Sequence, residues 1–167
     1  MLALTLAGCA AAAAEIPPSS LGVTARDGFL EARTVARVWD ADARLRYVEG
    51  LGIGPAGLAL PDAGEWRFHY TAPGHGDELL VRVKPLETVQ EERPATSPPG
   101  YVIGDNALDE GWVDSPQVMA AVQAEGGDLA GATLLLVPTR PPRWVVRAEG
   151  EQERWQVDAN TGGVIGR

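Results

Sequence analysis

Trp144-Val145-Val146-Arg147-Ala148 and Trp155-Gln156-Val157-Asp158-Ala159-Asn160-Thr161-Gly162-Gly163-Val164 are the segments whose reading decides the fold. Both are rich in the β-branched and aromatic residues that fit a pleated, half-buried surface. They predict strands over Trp144 to Ala148 and Glu153 to Asp158, joined by a tight turn at Glu149-Gly150-Glu151. Past the second strand, Asp158 and Asn160 offer side-chain oxygens to neighbouring amides. Gly162 or Gly163 supplies a positive φ, so the chain turns sharply there. Asp158-x-Asn160 is also how a calcium loop begins, but the remaining carboxylates of such a loop are missing.

Working outward, Thr133 to Val137 reads as a third strand, preceded by a helix carrying Val118, Met119, Ala121 and Val122. Ser115 is its expected N-cap, Pro116 its first helical residue and Gly126-Gly127 its stop. The first half repeats this order. A helix capped by Asp27 places Phe29, Ala32, Val35, Ala36 and Trp39 at helical spacing and ends at Asp40-Ala41-Asp42. Strands then follow over Leu45 to Ile53, Trp66 to Tyr70 and Leu79 to Val83, the last two joined by a turn at Gly74 to Gly76. The chain therefore reads as an α+β protein of two α-β-β-β repeats, 25–86 and 108–167, each a helix packed on an antiparallel sheet. A Pro-rich acidic connector is expected over 87–107, and whether the halves share one sheet stays open. Trp66 and Trp144 both begin a middle strand and are expected as core anchors, with ligand stacking as the sharper alternative.

Gly111-Trp112-Val113-Asp114-Ser115 at a helix start, Trp144-Val145-Val146 and the string Trp155 to Val164 together resemble the PepSY and PepSY-like family, a cystatin-like arrangement. The likeness covers about residues 108 to 166; the first half shares only the order of elements and Trp66. Members serve as propeptide segments of secreted peptidases and as free-standing envelope proteins. The resemblance implies binding rather than catalysis, with a peptidase as one class of partner. On that reading Trp66, Trp144, Trp155, Asp158, Asn160 and Gly162 are the structural or binding positions.

The N-terminus carries a different signal. Met1 to Ala7 is apolar but far shorter than the roughly 20 residues needed to span a bilayer. Leu6-Ala7-Gly8-Cys9 resembles the lipobox of bacterial lipoproteins, in which the cysteine becomes the acylated N-terminus after cleavage. Cys9 is the single cysteine, so no disulfide within the chain and no CxxC motif exists. Residues 1–8 are read as the end of a signal segment, and 9–24, with Ala10 to Ala14 and Pro17-Pro18-Ser19-Ser20, as a tether. A complete signal has positive charges ahead of its apolar run; none precedes Cys9, as expected if translation starts upstream of Met1. Ala10 is not the aspartate that retains lipoproteins at the inner membrane in enteric bacteria, so the outer membrane is expected.

A net charge of −9 leaves no basic stripe to release phosphate counterions, which argues against nucleic acid. Acids concentrate between Glu87 and Asp128 with Arg93 as the single base among them, read as a solvated linker and helix face. Neither a nucleophile elbow, a Walker loop nor His-Glu-x-x-His is present. Asp109, Glu110 and Asp114 could pose as paired carboxylates, yet they precede a helix, whose N-terminus favours anions for structural reasons. His69 and His75 have no third ligand at a familiar spacing and are expected at the surface, so no metal or cofactor is expected. The expected function is a non-catalytic envelope lipoprotein that binds or modulates a protein partner. Inhibition of an envelope peptidase and small-molecule binding are the alternatives.

Overall fold

In the computed structural model, which describes residues 22–98, 100–101, 106–148, 150 and 154–167, α1 runs from Ala25 to Trp39. Its buried stripe is Ala25, Gly28, Phe29, Ala32 and Ala36. Thr24, not Asp27, is the N-cap: its extended backbone lets the hydroxyl accept from the Asp27 amide at 3.1 Å. Asp27 sits in the first turn, where its carboxylate accepts from that hydroxyl. The second helix, α2, spans Ser115–Ala124. Here too the cap lies earlier than expected, by one residue where α1 differs by three. Asp114 closes a reciprocal box with Gln117, which frees Ser115 to reach outside its own helix.

The strands are β1 (Arg44–Ile53), β2 (Glu65–Thr71), β3 (Asp77–Lys84), β4 (Glu87–Pro94), β5 (Ala132–Val137), β6 (Arg143–Arg147), β7 (Trp155–Asp158) and β8 (Val164–Gly166). They form one antiparallel sheet in the order β4-β3-β2-β1-β5-β6-β7-β8. The halves thus share a sheet, joined where Val48, Glu49 and Gly50 of β1 face Leu136, Leu135 and Leu134 of β5. Two strands were not expected. β4 occupies residues assigned to the connector, paired to β3 from Asp77↔Pro94 to Lys84↔Glu87. It escapes a pattern reading because it is an edge strand with no fully buried residue and hence no apolar alternation. β8 has three residues, too few to show a period. Of the tight turn expected at 149–151 only Gly150, with a φ of 77°, is described; the expected lipobox, Cys9 and most of the tether lie outside the described residues.

Both helices contribute to one core on one face of the sheet, α1 over β2 and β3 and α2 against β7. Aromatic rings run through it as a chain of edge contacts. Phe29 meets Trp112 at 5.6 Å, Trp112 meets Trp144 at 5.6 Å, and Trp144 meets Trp66 at 6.3 Å. Gly50 makes room for this chain at the joint. A Cβ there would lie 2.3 Å from the Trp66 ring, its register partner on β2. Among the described residues no helix is long and apolar enough to cross a membrane.

The N-termini of the two helices meet. The Ala25 amide donates to Ser115 Oγ at 3.0 Å, and that hydroxyl donates to Gly57 O at 2.6 Å. The Arg26 amide donates to Asp114 Oδ1 at 2.9 Å, which also accepts from the Ser115 amide at 2.7 Å. Ser115 is wholly buried, so Ser115→Ala leaves the Ala25 N–H and the Gly57 carbonyl without partners. A loss of about 1–3 kcal/mol is expected from that alone, read as a lowered urea midpoint with unchanged slope.

Candidate functional site

Strand alternation sends Tyr47 and Glu49 of β1, His69 of β2 and Glu78 of β3 to the face of the sheet opposite the helices. Polar residues on such a face would ordinarily meet water. Here they are covered by residues 95–98 and Tyr101, which follow β4 and lie against this face. Arg46, Tyr47, His69 and Glu78 are all buried as a result.

Glu78 is the centre of the cluster. Its Oε2 accepts from Arg46 at 2.9 Å; its Oε1 accepts from Arg93 Nε at 3.1 Å and from the Thr96 hydroxyl at 3.0 Å. His69 lies between two carboxylates, Nδ1 at 3.1 Å from Glu78 and Nε2 at 3.2 Å from Glu49. Arg93 Nη2 also lies 3.4 Å from Nδ1. Tyr47 stacks on that ring at 3.9 Å and its hydroxyl is 2.9 Å from Thr96 Oγ1. Thr96 also receives Arg46 on its carbonyl at 3.1 Å. Thr96 is therefore the point at which the covering segment is pinned to the sheet.

Burial on its own would raise the Glu78 carboxyl. The bonds and charge from His69, with those from Thr96, outweigh it and bring the pKa from 4.5 down to about 2. Glu49 follows the same pattern: burial opposes ionisation, and His69, Arg67 and Arg93 carry it below the ordinary value. Burial pushes the Tyr47 phenol up to about 12, against the Thr96 hydrogen bond. Both nitrogens of His69 are engaged and the ring is sealed from solvent. The cluster is thus suited to holding the covering segment down.

That segment walls a recess of about 220 Å³. Pro98 and Tyr101 come from the segment, and Leu135 and Val145 from β5 and β6. Glu49, the outer member of the ionic cluster, lies on its edge together with Arg147 and Arg154. The recess brings apolar surface and both signs of charge together on this face.

The positions singled out in the sequence lie elsewhere. Trp66 and Trp144 are wholly buried on the helix side, where their Nε1 atoms donate to Val23 O at 2.8 Å and Val113 O at 3.0 Å. Trp155 is 4% exposed, with the Arg167 guanidinium 4.1 Å above its ring. Asp158 Oδ1 accepts from the Asn160 and Thr161 amides at 2.8 and 3.0 Å, and Gly162 has a φ of 76°, turning β7 into β8. Asp114 serves the helix ends, Glu110 pairs with Arg33 at 2.6 Å, and Asp109 is exposed. His69 corrects the expectation of a surface histidine, since the covering segment buries it. His75 is exposed, as expected, with its ring against Trp39 and 3.1 Å from Asp40. Among the described residues no group of three or more His, Cys, Asp or Glu is placed to hold a metal ion. The Glu78 cluster had no visible signal: alternation assigns its members to solvent, and only the fold-back of a later segment buries them.

A test follows from the sign of the Glu78 shift. A carboxyl whose folded pKa is depressed stabilises the fold fully above its unfolded value and loses that contribution as pH falls through the folded one. The drop from 4.5 to about 2 corresponds to about 3 kcal/mol, present above about pH 4.5 and lost towards pH 2. Glu78→Gln is expected to remove at least that much at pH 7, because Arg46 and His69 are left facing a neutral group. Urea midpoints at pH 7, 4 and 3 should fall steeply for the native chain and much less for the variant.

The chain matches no protein-family model. No curated protein matches it either. Among solved structures, the fold is similar to that of a Clostridium difficile 630 protein described as a "putative lipoprotein". The TM-score is 0.57 at 14% identity, over 83% of this chain and 90% of the other. That likeness shows the shared α+β fold.

Proposed function

We propose that this chain is a lipid-anchored envelope protein whose α+β domain is a non-catalytic binding module, taking a protein partner on the sheet face opposite the helices. The observation that carries this reading is the recess beside Thr96 and Tyr101. It combines apolar walls with Glu49, Arg147 and Arg154 at its edge, and the buried ionic cluster holds its wall in place. Its size favours a protein over a free ligand. About 220 Å³ is below the 300–1,000 Å³ typical of small-molecule pockets, and fits one or two inserted side chains of a larger surface.

The anchor is proposed from Leu6-Ala7-Gly8-Cys9 and the tether behind it, and is consistent with the description of the Clostridium difficile protein. Ala10 after the cysteine favours the outer membrane over the inner. We also propose that the halves are two copies of one PepSY-like unit. A shared detail supports it: in each half the tryptophan of the second strand, Trp66 or Trp144, donates to the carbonyl of the residue before the helix cap, Val23 or Val113. The PepSY resemblance makes an envelope peptidase the first class of partner to try.

A photo-crosslinking residue at Arg147, beside the recess, should capture a recurrent protein in intact envelopes. The same residue at Val38, on the outer surface of α1, should not. Capture from Val38 alone would sink the open-face reading. Separately, fatty-acid label should be incorporated by the native chain and lost in Cys9→Ala; equal labelling would remove the anchor.

A further inference from the structure

A second cavity lies on the helix side of the sheet, away from the proposed docking face. It has a volume of about 350 Å³ and sits between the C-terminal half of α1, the start of β1 and residues 107–110. Phe29, Leu45 and Leu108 form apolar walls, and Arg33, Arg37 and Arg44 project from α1 and β1. Asp109 and Glu110 stand at its rim. In a chain of net charge −9, three arginines meeting at one cavity are out of keeping with the whole.

Two details separate this cavity from an ordinary surface dent. Tyr70, which lines it, is 2% exposed, and its hydroxyl is buried with no hydrogen-bond partner. Such an orphan is destabilising and calls for an explanation. Burial raises the phenol above its ordinary range, so the hydroxyl stays protonated and available as a donor. The charges of Glu110 and Arg33 are both felt at that oxygen.

The arginines supply the second detail. Arg33 pairs with Glu110, but Arg37 and Arg44 are exposed and have no acidic partner among the described residues. Arg37 in the last turn of α1 is where a helix favours a cation, so alone it says nothing. Its convergence with Arg44, from a different element, and with an unpartnered hydroxyl is what points to a ligand. The Arg33–Glu110 pair is partly exposed and weakened by solvent screening, so a competing anion can displace it readily.

We propose that this cavity binds a small amphiphilic anion. Its carboxylate or phosphate displaces Glu110 from Arg33 and lies among Arg33, Arg37 and Arg44 with the Tyr70 hydroxyl beneath it; its apolar body rests on Phe29, Leu45 and Leu108. Planar guanidinium groups match both head groups by paired N–H bonds. The volume lies within the range of small-ligand sites.

Calorimetric titration of the full 167-residue chain with phenyl phosphate, benzoate and inorganic phosphate tests this. Saturable binding of phenyl phosphate or benzoate is expected, and the tighter of the two names the head group. Inorganic phosphate should bind more weakly than phenyl phosphate; equal affinity would overturn the apolar half of the site. Arg44→Glu, at an exposed position, should weaken binding by at least about tenfold. Tyr70→Phe should weaken it about three- to tenfold while leaving the unliganded Tm unchanged or higher, since it removes an orphan hydroxyl. Glu110→Gln should tighten binding, because it deletes the internal competitor. No saturable binding by any probe, or an affinity indifferent to Arg44→Glu, would overturn the proposal.

Discussion

The N-termini of α1 and α2 converge on one carboxylate, and the rest of the arrangement depends on that meeting. Each helix start carries about half a positive charge and unsatisfied amides, so two of them side by side repel and leave donors unpaired. Asp114 answers both problems at once, accepting from the Arg26 and Ser115 amides. Ser115 adds the Ala25 amide and ties the pair to Gly57 in the loop after β1. Arg26 completes the junction, donating to the Glu110 and Trp112 carbonyls and lying 3.9 Å above the Trp112 ring. With both helix starts fixed at the same place, their apolar faces have a single surface to cover, the sheet joined at β1 and β5.

The two faces of that sheet use different physics. On the helix side, burial of large rings dominates, and the polar atoms of Trp66 and Trp144 are satisfied by backbone carbonyls. On the other side the cover is a short segment with little apolar surface of its own. It is retained by charge-assisted hydrogen bonds converging on Glu78 and Thr96. Desolvating such a cluster is costly, and the cost is offset only because every charged group in it has a partner of opposite sign. The result is a wall rigid enough to keep a recess open, placed over the joint between the two halves.

The proposed docking face and the proposed anion cavity at Tyr70 differ in size and chemistry. One is a recess of about 220 Å³ beside a broad strand surface, the other a cavity of about 350 Å³ with convergent cations. Because they lie on opposite faces of the sheet, a protein on the first does not occlude the second.

Much of this architecture could be read directly from residues. Phe29, Ala32 and Ala36 at helical spacing, and the alternation in Trp66 to Tyr70, depend on local periodicity, so both helices and six strands were legible to within a residue or two. The turn after Asp158 is likewise a local signal. Helix caps were misplaced by one residue or a turn, because Thr24, Asp27, Asp114 and Ser115 all have cap chemistry and only geometry selects among them. β4 was invisible, since an edge strand covered on neither face needs no apolar pattern. Whether the halves share a sheet, the burial of His69 and Glu78, and the convergence of Tyr70 with Arg37 and Arg44 were decided by tertiary structure alone. Each depends on contacts between residues far apart in the chain, and no local period encodes which distant segment will cover a given face.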